Sequence, residues 1–185
     1  MPLKSVFHRV DMKKIFIIIA IVAIAGGGYF AYTKFVAPAA SDMQEPYVVS
    51  ALGDEYRNET YGFSLTMPEG FKARIMSTSV EGETILLEDQ TGNGIQIMIT
   101  PIDEDIPALT VERIKADIPD MQISDEQVVE VGSSRTGLAF KSDNEAFDGA
   151  SREVWFVFRG NLYQISTYER LDPLLKAVFQ TWQFN

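Results

Sequence analysis

The chain has 185 residues, 46% of them hydrophobic, and a net charge of −10, which suits one folded domain with an appendage and argues against disorder of the whole chain. The absence of cysteine excludes disulfides, thiolate metal sites, thiol nucleophiles and a lipid anchor on cysteine. Residues 1–34 carry a net charge of +4 and the remainder carries −14, so neither a nucleic acid nor an anionic lipid surface is expected as a partner of the remainder.

An uncharged apolar stretch follows the basic tail of residues 1–14. Residues 15–33 contain no charged side chain and would span about 28 Å as a helix, close to the hydrocarbon thickness of about 30 Å. We therefore predict a transmembrane signal-anchor over residues 15–34. Its membrane-facing positions are Ile15, Phe16, Ile17, Ile18, Ile19, Ile21, Val22, Ile24, Tyr29, Phe30 and Tyr32. Lys13 and Lys14 precede the stretch, so the positive-inside rule predicts a single-pass protein of the cell membrane with a cytoplasmic N-terminus and an extracytoplasmic body.

A cleaved signal peptide is the other interpretation of the same stretch. Residues 37–39 (APA) have the small-residue form of a cleavage site. The apolar stretch is longer than the usual signal-peptide core of about 7–15 residues, which favours a retained anchor. Lys34 also lies between the stretch and the candidate cleavage site.

A spacer and the first elements of the body follow. Residues 35–55 mix Pro, Ala, Ser and acidic residues and are predicted to be a spacer, with the domain over residues 56–185. Residues 61–67 alternate apolar and small or polar side chains, which predicts a strand. Residues 84–88 and 95–100 predict a hairpin joined through a glycine-rich turn. Thr110 is expected to cap a short helix that Pro119 ends.

Four further strands and a helix complete the predicted domain. The strands are expected at residues 127–131, 137–141, 153–159 and 162–168, with a tight turn at Gly160-Asn161 between the last two. Residues 153–159 are apolar on both faces, which indicates a central strand. Asp172 is the expected cap of the last helix and Pro173 its first residue. These elements predict the α+β class, with a mostly antiparallel sheet flanked by helices.

The order of these elements resembles that of the PsbP-like domain family. The resemblance starts at residues 61–71 (YGFSLTMPEGF), similar to the family's opening strand, and continues through residues 109–110, 137–139, 161–165 and 179–184. It covers about residues 56–185 and implies an α/β/α sandwich, with a central antiparallel sheet between helices. PsbP-like domains are binding or assembly modules, best known on the lumenal side of photosystem II. Since this chain has a predicted membrane anchor and no organelle transit peptide, the resemblance implies a membrane-anchored prokaryotic member that binds protein outside the cytoplasm.

Candidate chemistry in the body is confined to carboxylates. The only histidine, His8, precedes the anchor and cannot serve as a base in the body. Two acidic segments, residues 103–105 and 143–149, offer oxygen ligands for a hard cation. The residues to test are Asp103, Asp105, Asp143 and Asp148. Residues 143–149 depart from the calcium-loop template, and solvated turns are the favoured interpretation of both segments, so no metal site is predicted.

The function predicted from these patterns is a non-catalytic, membrane-tethered interaction or assembly module with an unidentified protein partner and no cofactor. The alternative is a carboxylate-dependent hydrolase, or a domain that binds a divalent metal or small ligand. Five aromatic residues fit two interpretations, the lining of a ligand pocket and packing in the core. Their spacing along strands and a helix favours the core. They are Trp155, Phe156, Phe158, Tyr163 and Trp182.

Overall fold

The computed structural model describes residues 51–76, 82–103, 108–132, 135–144, 147 and 150–185. The predicted tail and anchor, and residues 35–50 of the predicted spacer, lie outside these described residues. Within them, no helix has both the length and the apolar character needed to cross a membrane.

The described residues form ten strands, two short α-helices and a 3₁₀ turn. The strands are β1 (Leu52–Asn58), β2 (Phe63–Pro68), β3 (Lys72–Met76), β4 (Glu83–Glu88), β5 (Gly94–Pro101), β6 (Ile123–Val131), β7 (Arg135–Ser142), β8 (Ser151–Phe158), β9 (Asn161–Tyr168) and β10 (Gln183–Phe184). The helices are α1 (Val111–Asp117) and α2 (Asp172–Gln180), and the 3₁₀ turn is Glu169–Leu171. All strand pairs are antiparallel. They form a seven-stranded sheet of order β3-β4-β5-β9-β8-β7-β6 and a three-stranded sheet of order β1-β2-β10.

The two helices lie on opposite faces of the seven-stranded sheet. Alternate residues of β8 divide between two apolar clusters, with Val154, Phe156 and Phe158 in the larger and Trp155 in the smaller. The larger cluster also contains the apolar stripe of α2 and the inward side chains of β2, whereas the smaller contains Ile114 of α1. We call these the α2 face and the α1 face. The antiparallel α+β prediction is therefore confirmed.

The ends of α1 agree with the sequence signals. The Oγ1 atom of Thr110 accepts a hydrogen bond from the backbone N–H of Arg113 at 3.2 Å, as an N-cap side chain does. The helix ends at Asp117, shortly before Pro119, which has no N–H to continue it.

Two local details differ from the prediction. Leu171 is the N-cap of α2 and Asp172 is already helical, because the 3₁₀ turn leads directly into the helix. The tight turn between β8 and β9 consists of Arg159 and Gly160, both at positive φ, with Asn161 already paired in β9. Two consecutive residues at positive φ match the right-handed twist of a hairpin, so the turn lies one residue earlier than predicted.

Three strands were not predicted: β1, β3 and β10. β1 begins at Leu52, inside the predicted spacer, and its residues are exposed over most of its length. β3 is also mostly exposed, and β10 has two residues. All three lie at sheet edges, where one neighbouring strand provides the pairing and little apolar alternation is needed.

Candidate binding groove

A half-open groove of about 740 Å³ lies on the α2 face, between α2 and the strands at one end of the seven-stranded sheet. Ala139 of β7 and Val154 of β8 lie at its base, and Leu175 and Phe179 line it from α2. β6 and residues 182–184 provide most of the remaining lining. The groove is therefore apolar at its base and bounded by elements that are distant in sequence.

A buried arginine lines the groove. Arg152 is 5% exposed, and its Nε atom lies 3.1 Å from Oδ1 of Asp172. The other oxygen of Asp172 lies 2.7 Å from Nζ of Lys176, one helical turn along α2. Since one carboxylate is shared by two cations, this triad keeps a net charge of +1. Glu130 also lines the groove, so the charges of its lining balance.

Trp182 connects the groove to the core. Its ring stacks on Phe63 at a centroid distance of 4.6 Å and on Phe179 at 5.4 Å. Its Nε1 atom is buried and has no hydrogen-bond partner among the described residues. An unpaired buried donor is unfavourable by about 1–3 kcal/mol.

The α1 face holds a buried polar cluster. Glu153 is 1% exposed and accepts hydrogen bonds from the hydroxyls of Ser142, Ser151 and Ser166 and from the indole N–H of Trp155. Ser151 Oγ lies 2.6 Å from one carboxylate oxygen, and Trp155 Nε1 lies 3.1 Å from the other. A serine beside a carboxylate suggests nucleophilic chemistry, but Ser151 is fully buried, so no substrate reaches it in this conformation. The cluster joins β7, β8 and β9 and is a structural unit.

The carboxylates considered as candidate metal ligands form no metal-binding group within the described residues. Asp103 and Asp143 are exposed, while Asp105 and Asp148 lie outside the described residues. Asp143 accepts a hydrogen bond from the backbone N–H of Gln122 at 3.2 Å, which holds the segment entering β6. No group of three or more His, Cys, Asp or Glu residues that could hold a metal occurs in the described part of the chain. The other two candidates, Asp105 and Asp148, are not tested by the described residues.

The five predicted aromatic residues all lie in the core. Trp155 packs on the α1 face against Phe140, and the other four belong to the cluster of the α2 face. Phe156 and Tyr163 stack at a centroid distance of 4.7 Å. Trp182 alone among the five also lines the groove. Core packing is therefore the better interpretation of this set.

No family model matches the chain, and no curated protein matches it. The solution structure of cyanobacterial PsbP (CyanoP) from Synechocystis sp. PCC 6803 is similar to it with a TM-score of 0.49 and 14% sequence identity, covering 80% of this chain and 99% of that one. At these values the similarity assigns neither a family nor a function to the chain.

Proposed function

We propose that this chain is a non-catalytic, membrane-tethered module that binds a protein partner outside the cytoplasm, with the groove beside α2 as the docking site. The observation that carries the proposal is the groove, which combines an apolar base with a polar and charged rim. The membrane tether depends on residues 15–34, and the orientation depends on Lys13 and Lys14.

The shape and lining of the groove favour a protein segment over a small molecule. Sites for small ligands are usually enclosed and bury most of the ligand, whereas this groove is half open. Its rim carries long polar side chains, among them Gln127, Lys176 and Gln180. An apolar centre with a polar rim is the usual composition of protein interfaces. Neither Asp103 nor Asp143 lines the groove, and Asp105 and Asp148 lie outside the described residues.

Site-specific crosslinking in membranes tests the docking site. A photoreactive amino acid at Gln180, on the groove rim, should give one discrete crosslinked product in cells that express the full chain. The matched control is the same amino acid at Lys115, an exposed position of α1 on the opposite face of the sheet. It should not give that product.

A second substitution shows whether the product depends on the groove. Phe179→Ala removes apolar surface from the groove and should reduce the Gln180 product, whereas Ile75→Ala removes apolar surface from β3, outside the groove, and should not. Thermal unfolding of each variant distinguishes a lost contact from a lost fold. Equal products from Gln180 and Lys115, or a product insensitive to Phe179→Ala in a folded chain, would contradict the docking site.

Protease digestion of intact cells tests the membrane tether and the orientation of the chain. Protease added outside intact cells should degrade the body while the chain remains in the membrane fraction. Full protection of the body would refute the orientation. A mature protein that begins near Ala40 and is free of lipid would refute the tether without affecting the docking site.

A further inference from the structure

We infer that β6 binds an extended segment of the partner as an added strand, and that this segment carries basic residues on either side of an apolar one. The inference rests on the proposed function, since it describes how a partner docked at the groove would be held. It is carried by the position of β6 in the sheet, its side chains and its charge.

β6 is the last strand of the seven-stranded sheet, paired with β7 on one side. In the described part of the chain no strand pairs with its other side. Roughly half of the backbone N–H and C=O groups of an edge strand point away from its neighbour and are free to pair with another chain. Peptide recognition by strand addition uses such groups for affinity and alternate side chains for specificity.

The start of β6 is unsuited to strand addition. The register with β7 shifts between Ser124 and Gln127, and Asp125 has a φ of 52°. Asp125 is held by Lys141, whose Nζ lies 2.7 Å from Oδ2. The hydrogen bond from Lys141, followed by its charge, lowers the pKa of Asp125. Regular pairing with β7 therefore runs from Gln127 to Val131, and the edge available for an added strand is this stretch with Glu126, the strand residue immediately before it.

Side chains on the two faces of this stretch define the partner. Val128 is 77% exposed, more than any other large hydrophobic residue described. Exposed Glu126 and Glu130 flank it in sequence, and neither forms an ion pair within the described residues. Opposite charges on adjacent strands are favourable. A segment with an apolar residue opposite Val128 and a basic residue on either side is thus complementary to this edge.

The other face of β6 connects the added strand to the groove. Gln127, Val129 and Glu130 of β6 line the groove. Gln127 and Val129 lie on the same side of the strand, so alternate residues of an added strand would lie on the groove side of the sheet. Apolar residues are expected at these positions. The chemistry on both faces together describes a segment of the form Lys-Val-Val-Val-Lys.

A second copy of this chain is a poorer occupant. If two β6 strands paired antiparallel about Val128, Glu126 of each would oppose Glu130 of the other. Like charges directly opposite are destabilising, so the acidic residues disfavour self-pairing while they favour a basic segment.

The experiment uses the full chain in neutral detergent micelles and a fluorescent synthetic peptide with Lys-Val-Val-Val-Lys at its centre. Fluorescence anisotropy measures binding, and hydrogen exchange measures backbone protection. We expect the peptide to bind more tightly than a peptide of the same composition in scrambled order, and to protect amides of β6 and not those of β3, the opposite edge of the sheet.

Charge reversal tests the complementarity. Glu126→Lys combined with Glu130→Lys should weaken peptide binding about tenfold, the effect of two lost cross-strand pairs. The same variant should gain binding to a peptide with Glu-Val-Val-Val-Glu at its centre. Glu59→Lys combined with Glu69→Lys changes the net charge equally at exposed turn positions outside β6, and should alter binding by no more than about twofold because distant charges are screened.

Three results would overturn the inference: equal binding of ordered and scrambled peptides, protection of β3 instead of β6, or insensitivity to the reversal at Glu126 and Glu130. If any of them occurs while the groove-dependent Gln180 crosslink persists, strand addition is wrong and the proposed docking site stands. If the Gln180 crosslink is absent as well, the proposed function fails with it.

Discussion

The two faces of the seven-stranded sheet are held by different interactions. The α2 face is packed by aromatic rings, with Phe156 stacked on Tyr163 and in edge contact with Trp182 at 5.7 Å. The α1 face contains Glu153, buried among hydroxyl and indole donors. Apolar packing is non-directional and adjusts in part to a changed shape, whereas a buried carboxylate depends on the presence and geometry of each donor. Substitutions on the two faces should therefore differ in how far conservative replacements rescue them.

The largest loss is expected on the α2 face. Phe156→Ala removes a fully buried ring and should lower the free energy of unfolding by about 4 kcal/mol. Phe156→Leu retains most of the apolar volume and should recover part of that loss, which urea denaturation of both variants measures. Ile75→Ala, at a position 56% exposed, is the control and should change the free energy by about 0.5 kcal/mol or less. A Phe156→Ala loss as small as that of the control would contradict the packing described for this face.

Glu153→Ala should come next, with a loss of about 3 kcal/mol in the free energy of unfolding. The substitution leaves three serine hydroxyls and an indole N–H without their common acceptor, and unpaired buried groups are costly. Glu153→Gln keeps the shape of the side chain but replaces one acceptor oxygen with an N–H₂ group, which cannot accept hydrogen bonds from the serine hydroxyls or the indole N–H. This variant should therefore recover only part of the stability. The measurement is again urea denaturation. If Glu153→Gln were as stable as the unchanged chain, the cluster would not depend on the carboxylate.

A smaller effect is expected from the helix on the α1 face. Thr110→Ala removes the side-chain oxygen that accepts from the N–H of Arg113 and should lower the free energy of unfolding by about 1 kcal/mol. Thr110→Ser retains the acceptor and should be nearly neutral. Thermal unfolding of the two variants checks the difference, and equal melting temperatures would exclude the capping role.

The smallest effect on stability is expected from Asp89, a half-buried carboxylate that, like Glu153, accepts several hydrogen bonds. Burial acts to raise the pKa of Asp89, but hydrogen bonds from Asn93 and Thr91 together outweigh it and lower the pKa below the usual 3.8. A carboxyl group with a lowered folded-state pKa contributes stability above the unfolded value, and this contribution is lost as the pH falls through the folded value. The N–H signals of Thr91 and Asn93 should therefore titrate below pH 3.8 in nuclear magnetic resonance spectra. Asp89→Asn should abolish this titration, and a midpoint above 3.8 would contradict the lowered pKa.

The sequence predicted the centre of the fold better than its edges. Strands β5, β8 and β9 are buried on both faces or alternate clearly, and their positions were predicted within a few residues. β1 and β3 are exposed over most of their residues and owe their conformation to pairing with one neighbour. Because pairing across the sheet leaves little trace in local composition, these strands escaped prediction.

The groove and the buried polar cluster could not be predicted, for two separate reasons. The groove is lined by residues from β6, β7, β8, α2 and the C-terminal segment, and only the assembled fold brings them together. The cluster begins with Ser151 and Glu153 at alternate positions of β8, a pattern that would equally suit the solvated side of a strand. Only the contacts with β7 and β9 identify these side chains as buried.

The order of strands has a consequence for how the domain assembles. β3, β4 and β5 are sequential neighbours, and so are β6, β7, β8 and β9, so each group can form from short hairpins that close small loops. One seam, where Ile97 of β5 pairs with Ile165 of β9, joins the two groups across a long stretch of chain. Folding rates fall as contacts become less local. We therefore expect closure of this seam to be the slow step in folding, with hairpins on either side formed in advance.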